Sequence, residues 1–121
     1  MKVQIQMLKQ TLQKFFILDG VSSAMIVRKD GEVVEKVESG VVNDKHVAAV
    51  VAFVMAESRA MATQIGQEKL SMVFVEFQSK ALMSVPITDE LYLVVIANAN
   101  ANIAKISLEL RKNRDLILSM L

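Results

Sequence analysis

The residues able to do chemistry in this chain are few, and their spacing does not assemble them into a reactive group. His46 is the one histidine. A Ser–His–Asp arrangement needs a matching motif around its members, and none is present. His46 stands at the start of a predicted helix and reads as a solvated surface residue. The chain has no cysteine, which excludes disulfides, thiolate metal sites and cysteine nucleophiles. No HExxH pair and no dense carboxylate loop offers metal-ligand spacing. Gly20, Gly31, Gly40 and Gly66 stand apart from one another, so no GxxxxGK[ST] or GxGxxG phosphate cradle forms. Glu57 and Arg59 interrupt an apolar stretch. They read as a solvent-facing stripe or salt bridge, or as the polar rim of a binding face. A third role, Arg59 as a finger lent to a partner's active site, has no other support. The residues therefore predict no catalytic site, no metal and no cofactor, and a protein that is not an enzyme.

Charge and composition narrow the partners. Fourteen basic residues against 13 acidic ones give a formal net charge of +1. Nucleic-acid binding draws most of its affinity from a concentrated basic surface. The densest basic group is Arg111, Lys112 and Arg114, which suits the negative end of a helix dipole. No nucleic-acid partner is expected. The hydrophobic fraction, 53%, is slightly above the usual range of about 45–50%, and one Pro with four Gly argues against a disordered or loop-rich chain. One domain over residues 1–121 is expected. The first six residues carry Gln and Lys where a signal peptide needs an apolar core. The longest apolar run, residues 47–56, falls well short of the roughly 20 that cross a bilayer. A cytoplasmic protein without membrane insertion is expected. Of the eight methionines, Met55, Met61, Met72 and Met83 fall in core segments, where methionine fills irregular gaps.

The elements follow from periodicity. Ile5, Leu8, Leu12 and Phe15 recur at helical spacing within residues 2–18, and Asp19-Gly20 stops that helix. Residues 21–28 and 33–37 read as strands of a hairpin around Lys29-Asp30-Gly31-Glu32, with Gly31 supplying positive φ. Glu35 and Lys36 mark the second strand as a protected edge. Residues 39–42 are a connection, and Asn43 or Asp44 can cap a long helix over 45–65 that ends at Gly66. Strands at 70–77, 81–87 and 91–97 follow, separated by turns. They are apolar on both faces, so helices must cover both faces. Asn98, Asn100 and Asn102 fit turn and cap chemistry ahead of a last helix at about 101–118. The order is α-β-β-α-β-β-β-α, an α+β fold with a largely antiparallel sheet.

The central helix is the most informative segment. Val47, Val50, Val54, Met61 and Ile65 form a face able to cover the sheet. Ala49, Ala52, Phe53, Ala56 and Ala60 form a second apolar face. A helix hydrophobic nearly all round is usually buried nearly all round, and small residues let helix backbones approach. Alanine is also simply a good helix former, but Phe53 in the same face fits that account less well. The reading is a homodimer, with Val73, Val75 and Phe77 of the edge strand 70–77 adding contact with their own copies. A two-fold dimer is the commonest oligomer.

Several segments together resemble the Roadblock / dynein light chain family. They are the hairpin Ala24-Met25-Ile26-Val27-Arg28-Lys29-Asp30-Gly31-Glu32-Val33-Val34 and the Ala-rich helix ending at Gly66. Leu70-Ser71-Met72-Val73-Phe74-Val75-Glu76-Phe77 and Leu91-Tyr92-Leu93-Val94-Val95-Ile96-Ala97 follow, with the closing helix after Asn98-Ala99-Asn100-Ala101-Asn102. The resemblance spans nearly the whole chain and rests on apolar and turn patterns. It implies a five-stranded antiparallel sheet with one long helix on one face and two helices on the other. It implies dimers built from the long helix and the strand after it. It further implies a scaffold or regulator of Ras-like small GTPases, or a subunit of motor and signalling complexes. In prokaryotic members it implies a dimer that stimulates the GTPase without supplying a catalytic arginine. No catalytic residue is carried over. The alternative is a small-molecule sensor or protein-binding module, since profilin-like and longin-like domains share related layouts.

Overall fold

The computed structural model describes residues 2–38 and 43–121. Helix α1 (Lys2–Gln13) tightens into a 3-10 turn at Lys14–Ile17, and strands β1 (Val21–Arg28) and β2 (Val33–Glu38) follow. Helix α2 (Asp44–Gln64) then leads to β3 (Val73–Glu76), β4 (Lys80–Pro86), β5 (Leu91–Asn98) and α3 (Ile103–Met120). The two longer helices start where asparagine side chains accept otherwise orphaned amides. Asn43 takes the amide of His46, and Asn102 takes that of Lys105. Gly31 turns the first hairpin at φ 92°, in the left-handed region. A Cβ there would also lie 3.2 Å from the Cα of Ala49, so glycine lets α2 cross close above the turn.

The five strands form one sheet in the order β2-β1-β5-β4-β3, and every neighbouring pair is antiparallel. The edge position expected for β2 is the one it takes. One face is closed by two helices. Leu8, Leu12 and Phe15 of the first helical segment and Ile106, Leu110 and Ile117 of α3 pack on Ile26, Met83, Leu93 and Val95. The other face is covered by α2 alone, where Ala48, Val51 and Met55 meet Met25, Val27, Tyr92 and Val94. The α+β layout with one long helix opposite two others is therefore the observed one.

Three details differ from the sequence reading. First, α2 is rotated. Its buried residues are Ala48, Val51, Ala52, Met55 and Ala62, whereas Val50, Met61 and Ile65 of the expected sheet-covering face are exposed. Val47 and Val54 are half-buried. A helix apolar around most of its girth carries no periodic signal to fix its rotation. Its rotation is set by packing, with Ala48, Val51 and Met55 seated on Met25, Val27, Tyr92 and Val94. Second, β3 covers only Val73–Glu76 rather than 70–77. The even-numbered residues of β4 turn their backbone groups toward β3, since the carbonyl of Lys80 accepts the amide of Phe77. Pro86 is the next such donor position beyond Ser84, and it has no N–H to give. Third, α3 begins two residues later than expected because Asn102 serves as its cap. The connection expected at residues 39–42 lies outside the described residues, as does the side chain of Ile5.

Candidate interaction site

Because α2 is the single helix on its face, and contacts β1 and β2 most closely, the β3–β4 side of that face is only partly roofed. A groove of about 180 Å³ opens there. Val50 and Val54 of α2 form one wall, Val73, Val75 and Phe77 the other, and Leu82 and Ser84 of β4 lie beneath. No lining residue is titratable, so the groove recognises shape and apolar surface rather than charge. Ser84 is 1% exposed, and its hydroxyl has no hydrogen-bond partner among the described residues. A buried orphan hydroxyl carries an uncompensated desolvation cost.

The surface beside the groove is unusually apolar. Phe53 is 66% exposed and Phe77 56%, and Val50, Met61 and Ile65 are also exposed. With 3.6 residues per turn, Val50, Val54, Met61 and Ile65 line up along the flank of α2 that faces the groove. Ala49, Ala56 and Ala60, all exposed, line the opposite flank, and Phe53 and Glu57 ride between the two.

Most of the residues read from sequence as an association face are therefore at the surface, spread from the alanine flank of α2 through Phe53 to the β3 side of the groove. The structure brings Val73, Val75 and Phe77 together with Val50 and Val54, not with the alanines. Ala52 is a correction: it is 7% exposed and already covered within the chain, because the rotation of α2 turns it toward the sheet. Arg59, expected at a polar rim, is tethered within the chain. Its guanidinium donates to the carbonyls of Thr88 and Asp89, both at 3.2 Å, and lies 5.1 Å from the centroid of the Tyr92 ring. It ties α2 to the β4–β5 turn. Glu57 is exposed and remains available. Sequence reading missed Leu82 and Ser84, since nothing local marks which β4 residues face an uncovered corner.

Charges ring the opposite edge of the α2 layer. Lys36 of β2 pairs with Asp44 in the first turn of α2 at 2.6 Å. That hydrogen bond raises the Lys36 pKa and holds the Asp44 carboxyl below its ordinary value. Arg28 with Asp30, and Lys29 with Glu90, brace the turns at the end of the sheet. Among the described residues no group of three or more His, Cys, Asp or Glu could hold a metal ion. No described helix is long and apolar enough to cross a membrane. The α2 layer thus carries an uncharged apolar groove on one side and ion pairs on the other.

Comparison with known proteins agrees with this geometry. The sequence model of the Roadblock/LC7 domain matches residues 7–97. No curated protein sequence matches the chain. Among solved structures, an MglB in a tetrameric arrangement is similar with a TM-score of 0.90 at 16% identity, over 97% of this chain and 89% of that one. The gliding protein MglB of Thermus thermophilus gives 0.89 at 16% identity, over 97% and 90%. A Roadblock/LC7 domain from Streptomyces avermitilis gives 0.83 at 19% identity, over 90% and 92%. At such identities these likenesses establish a shared fold.

Proposed function

The chain belongs to the Roadblock/LC7 domain family, and from that premise we propose that it is a non-catalytic homodimer that binds a Ras-like small GTPase and regulates or scaffolds it. The observation that carries the association half is the partly roofed sheet face. Phe53, Phe77, Val50 and Met61 are exposed around an apolar groove that the chain's own helices do not cover. Clustered exposed apolar side chains mark association sites. A second copy brings a matching helix and edge strand, as isologous pairing requires. The tetrameric arrangement of the MglB structure supports self-association in this fold. The GTPase half rests on the family, whose resemblance implies such a partner. No His–nucleophile pair or phosphate cradle argues for chemistry of the chain's own.

Light scattering tests the first half: a mass of twice 13.4 kDa is expected at micromolar concentration, and a species that stays at one copy on concentration refutes it. The second half is tested by pull-down from native lysate, with any small GTPase recovered then loaded with GDP or a GTP analogue. Capture of its GTP-analogue form in preference to its GDP form, followed by phosphate-release assays with and without the dimer, is the expected result. Equal indifference to both forms would remove the GTPase reading while leaving the dimer intact.

A further inference from the structure

A second depression opens at the far end of α2. It has a volume of about 540 Å³ and lies between the last turns of α2, the segment entering β3, the β4–β5 turn and α3. It shares no lining residue with the association groove. Its size is in the range of small-ligand sites, about 300–1,000 Å³. Ala62 and Ile87, both buried, and half-buried Leu70 give it an apolar floor. Three cations, Arg59, Lys69 and Arg114, stand in its walls with two carboxylates, Glu68 and Asp89.

These charges have not neutralised one another. Among the described residues, no ion pair within 4.0 Å joins Lys69 to either carboxylate. Arg114 gives its Nε to Asp115 at 3.2 Å, and neither of its Nη groups has a protein acceptor among the described residues. Arg59 is already fixed, by two carbonyls and the Tyr92 ring, so it enters the site preorganised. Guanidinium groups take a carboxylate through two parallel hydrogen bonds, and an ammonium adds a mobile point charge. Glu68 and Asp89 oppose a more highly charged anion by like-charge repulsion. The apolar floor is of use only to a ligand that carries hydrocarbon.

We propose that this cleft binds a monocarboxylate borne on a short aliphatic group. That chemistry is shared by a free acylated amino acid and by the C-terminal residue of a peptide. The site goes beyond the dimer and GTPase reading and stands or falls separately from it.

The test is a titration of the ¹⁵N-labelled full chain with N-acetyl-L-leucine, followed through the amides of Ala62, Thr63, Ile87 and Thr88. Saturable shifts at those amides are expected. N-acetyl-L-leucinamide, the uncharged counterpart, is expected to bind at least about tenfold more weakly, and Lys69→Ala and Arg114→Ala to weaken the acid about tenfold each. Lys69 is exposed and Arg114 half-buried, and an unchanged melting midpoint separates lost binding from lost fold. Lys69→Arg should restore most of the affinity. An acetylated tripeptide ending in leucine identifies the source. Tighter binding than the single residue points to a peptide terminus, and exclusion of the tripeptide points to a free small acid; either supports the site. Inorganic phosphate binding as tightly as the acid, a carboxamide binding equally well, indifference to both alanine variants, or no saturation by tens of millimolar overturns the proposal.

Discussion

Replacing Phe53 with alanine puts the association face to a quantitative test. Phe53 shows 66% of its surface from the middle of α2 and belongs to neither core cluster, so its loss spares the fold of each copy. A phenylalanine side chain offers on the order of 200 Å², which leaves about 130 Å² per copy awaiting cover. At ~25 cal/mol per Å² that area corresponds to about 3 kcal/mol. Ordering and imperfect fit consume part of such a gain at any interface. If half is realised in each copy, a symmetric pair loses about 3 kcal/mol, or roughly 150-fold in the dissociation constant. Sedimentation velocity over a concentration series reads that change directly. Leu108→Ala is the control, because Leu108 is similarly exposed at 60% but lies on the outer side of α3. A Phe53→Ala dissociation constant within about threefold of the parent, or an equal effect of Leu108→Ala, would show that the face has been misplaced.

Two further perturbations probe the frame that presents the face. Gly31→Ala meets both a φ of 92° and the Ala49 backbone at 3.2 Å, whereas Gly66→Ala meets a φ of 76° with open space around it. Gly66→Ala is expected to cost about 1 kcal/mol, and Gly31→Ala about 2–3, in urea unfolding; equal costs would mean that α2 shifts freely above the turn. Asp44 has its folded pKa lowered, first by the hydrogen bond from Lys36. Its contribution is therefore present above the ordinary carboxylate pKa of about 4 and is lost as pH falls through the lowered folded value. Asp44→Asn should lower the melting midpoint at neutral pH and flatten its decline in acid, and parallel acid limbs in parent and variant would refute the coupling.

The fold was legible because its signals are local. Gly20 and Gly31 mark turns, Asn43 or Asp44 marks the start of the long helix, and the two-sided apolar strands demand cover on both faces. What escaped notice depends on partners far away in the chain. The rotation of α2 was hidden because nearly every position around it is apolar, and only Met25, Val27 and Tyr92 beneath it decide which side turns inward. The tether on Arg59 was hidden because its acceptors are carbonyls of Thr88 and Asp89, and backbone groups leave no trace in a residue pattern. The orphan hydroxyl of Ser84 and the charged cleft around Lys69 were invisible for the same reason. Each is assembled from segments that meet only in the folded chain.

The proline that ends β4's supply of donors also sets how the sheet can be extended. Strand β3 has four residues, and Val73 and Val75 turn their backbone groups inward to β4, as Phe77 beyond them does. Only Phe74 and Glu76 present amide and carbonyl to the outside, a ladder of at most two rungs on each side of a joint. A net hydrogen bond contributes about 1 kcal/mol, so an added strand gains a few kcal/mol at most from the backbone. So short a seam holds no partner by main-chain pairing alone, and it gives little grip to an arbitrary extended peptide or to runaway edge-to-edge growth. Any strand added here depends on side-chain contact as well, and Val50, Phe53 and Phe77 are exposed apolar side chains of this face. Pro86, half-buried and one strand in from the edge, thus limits how far the edge strand can extend along β4.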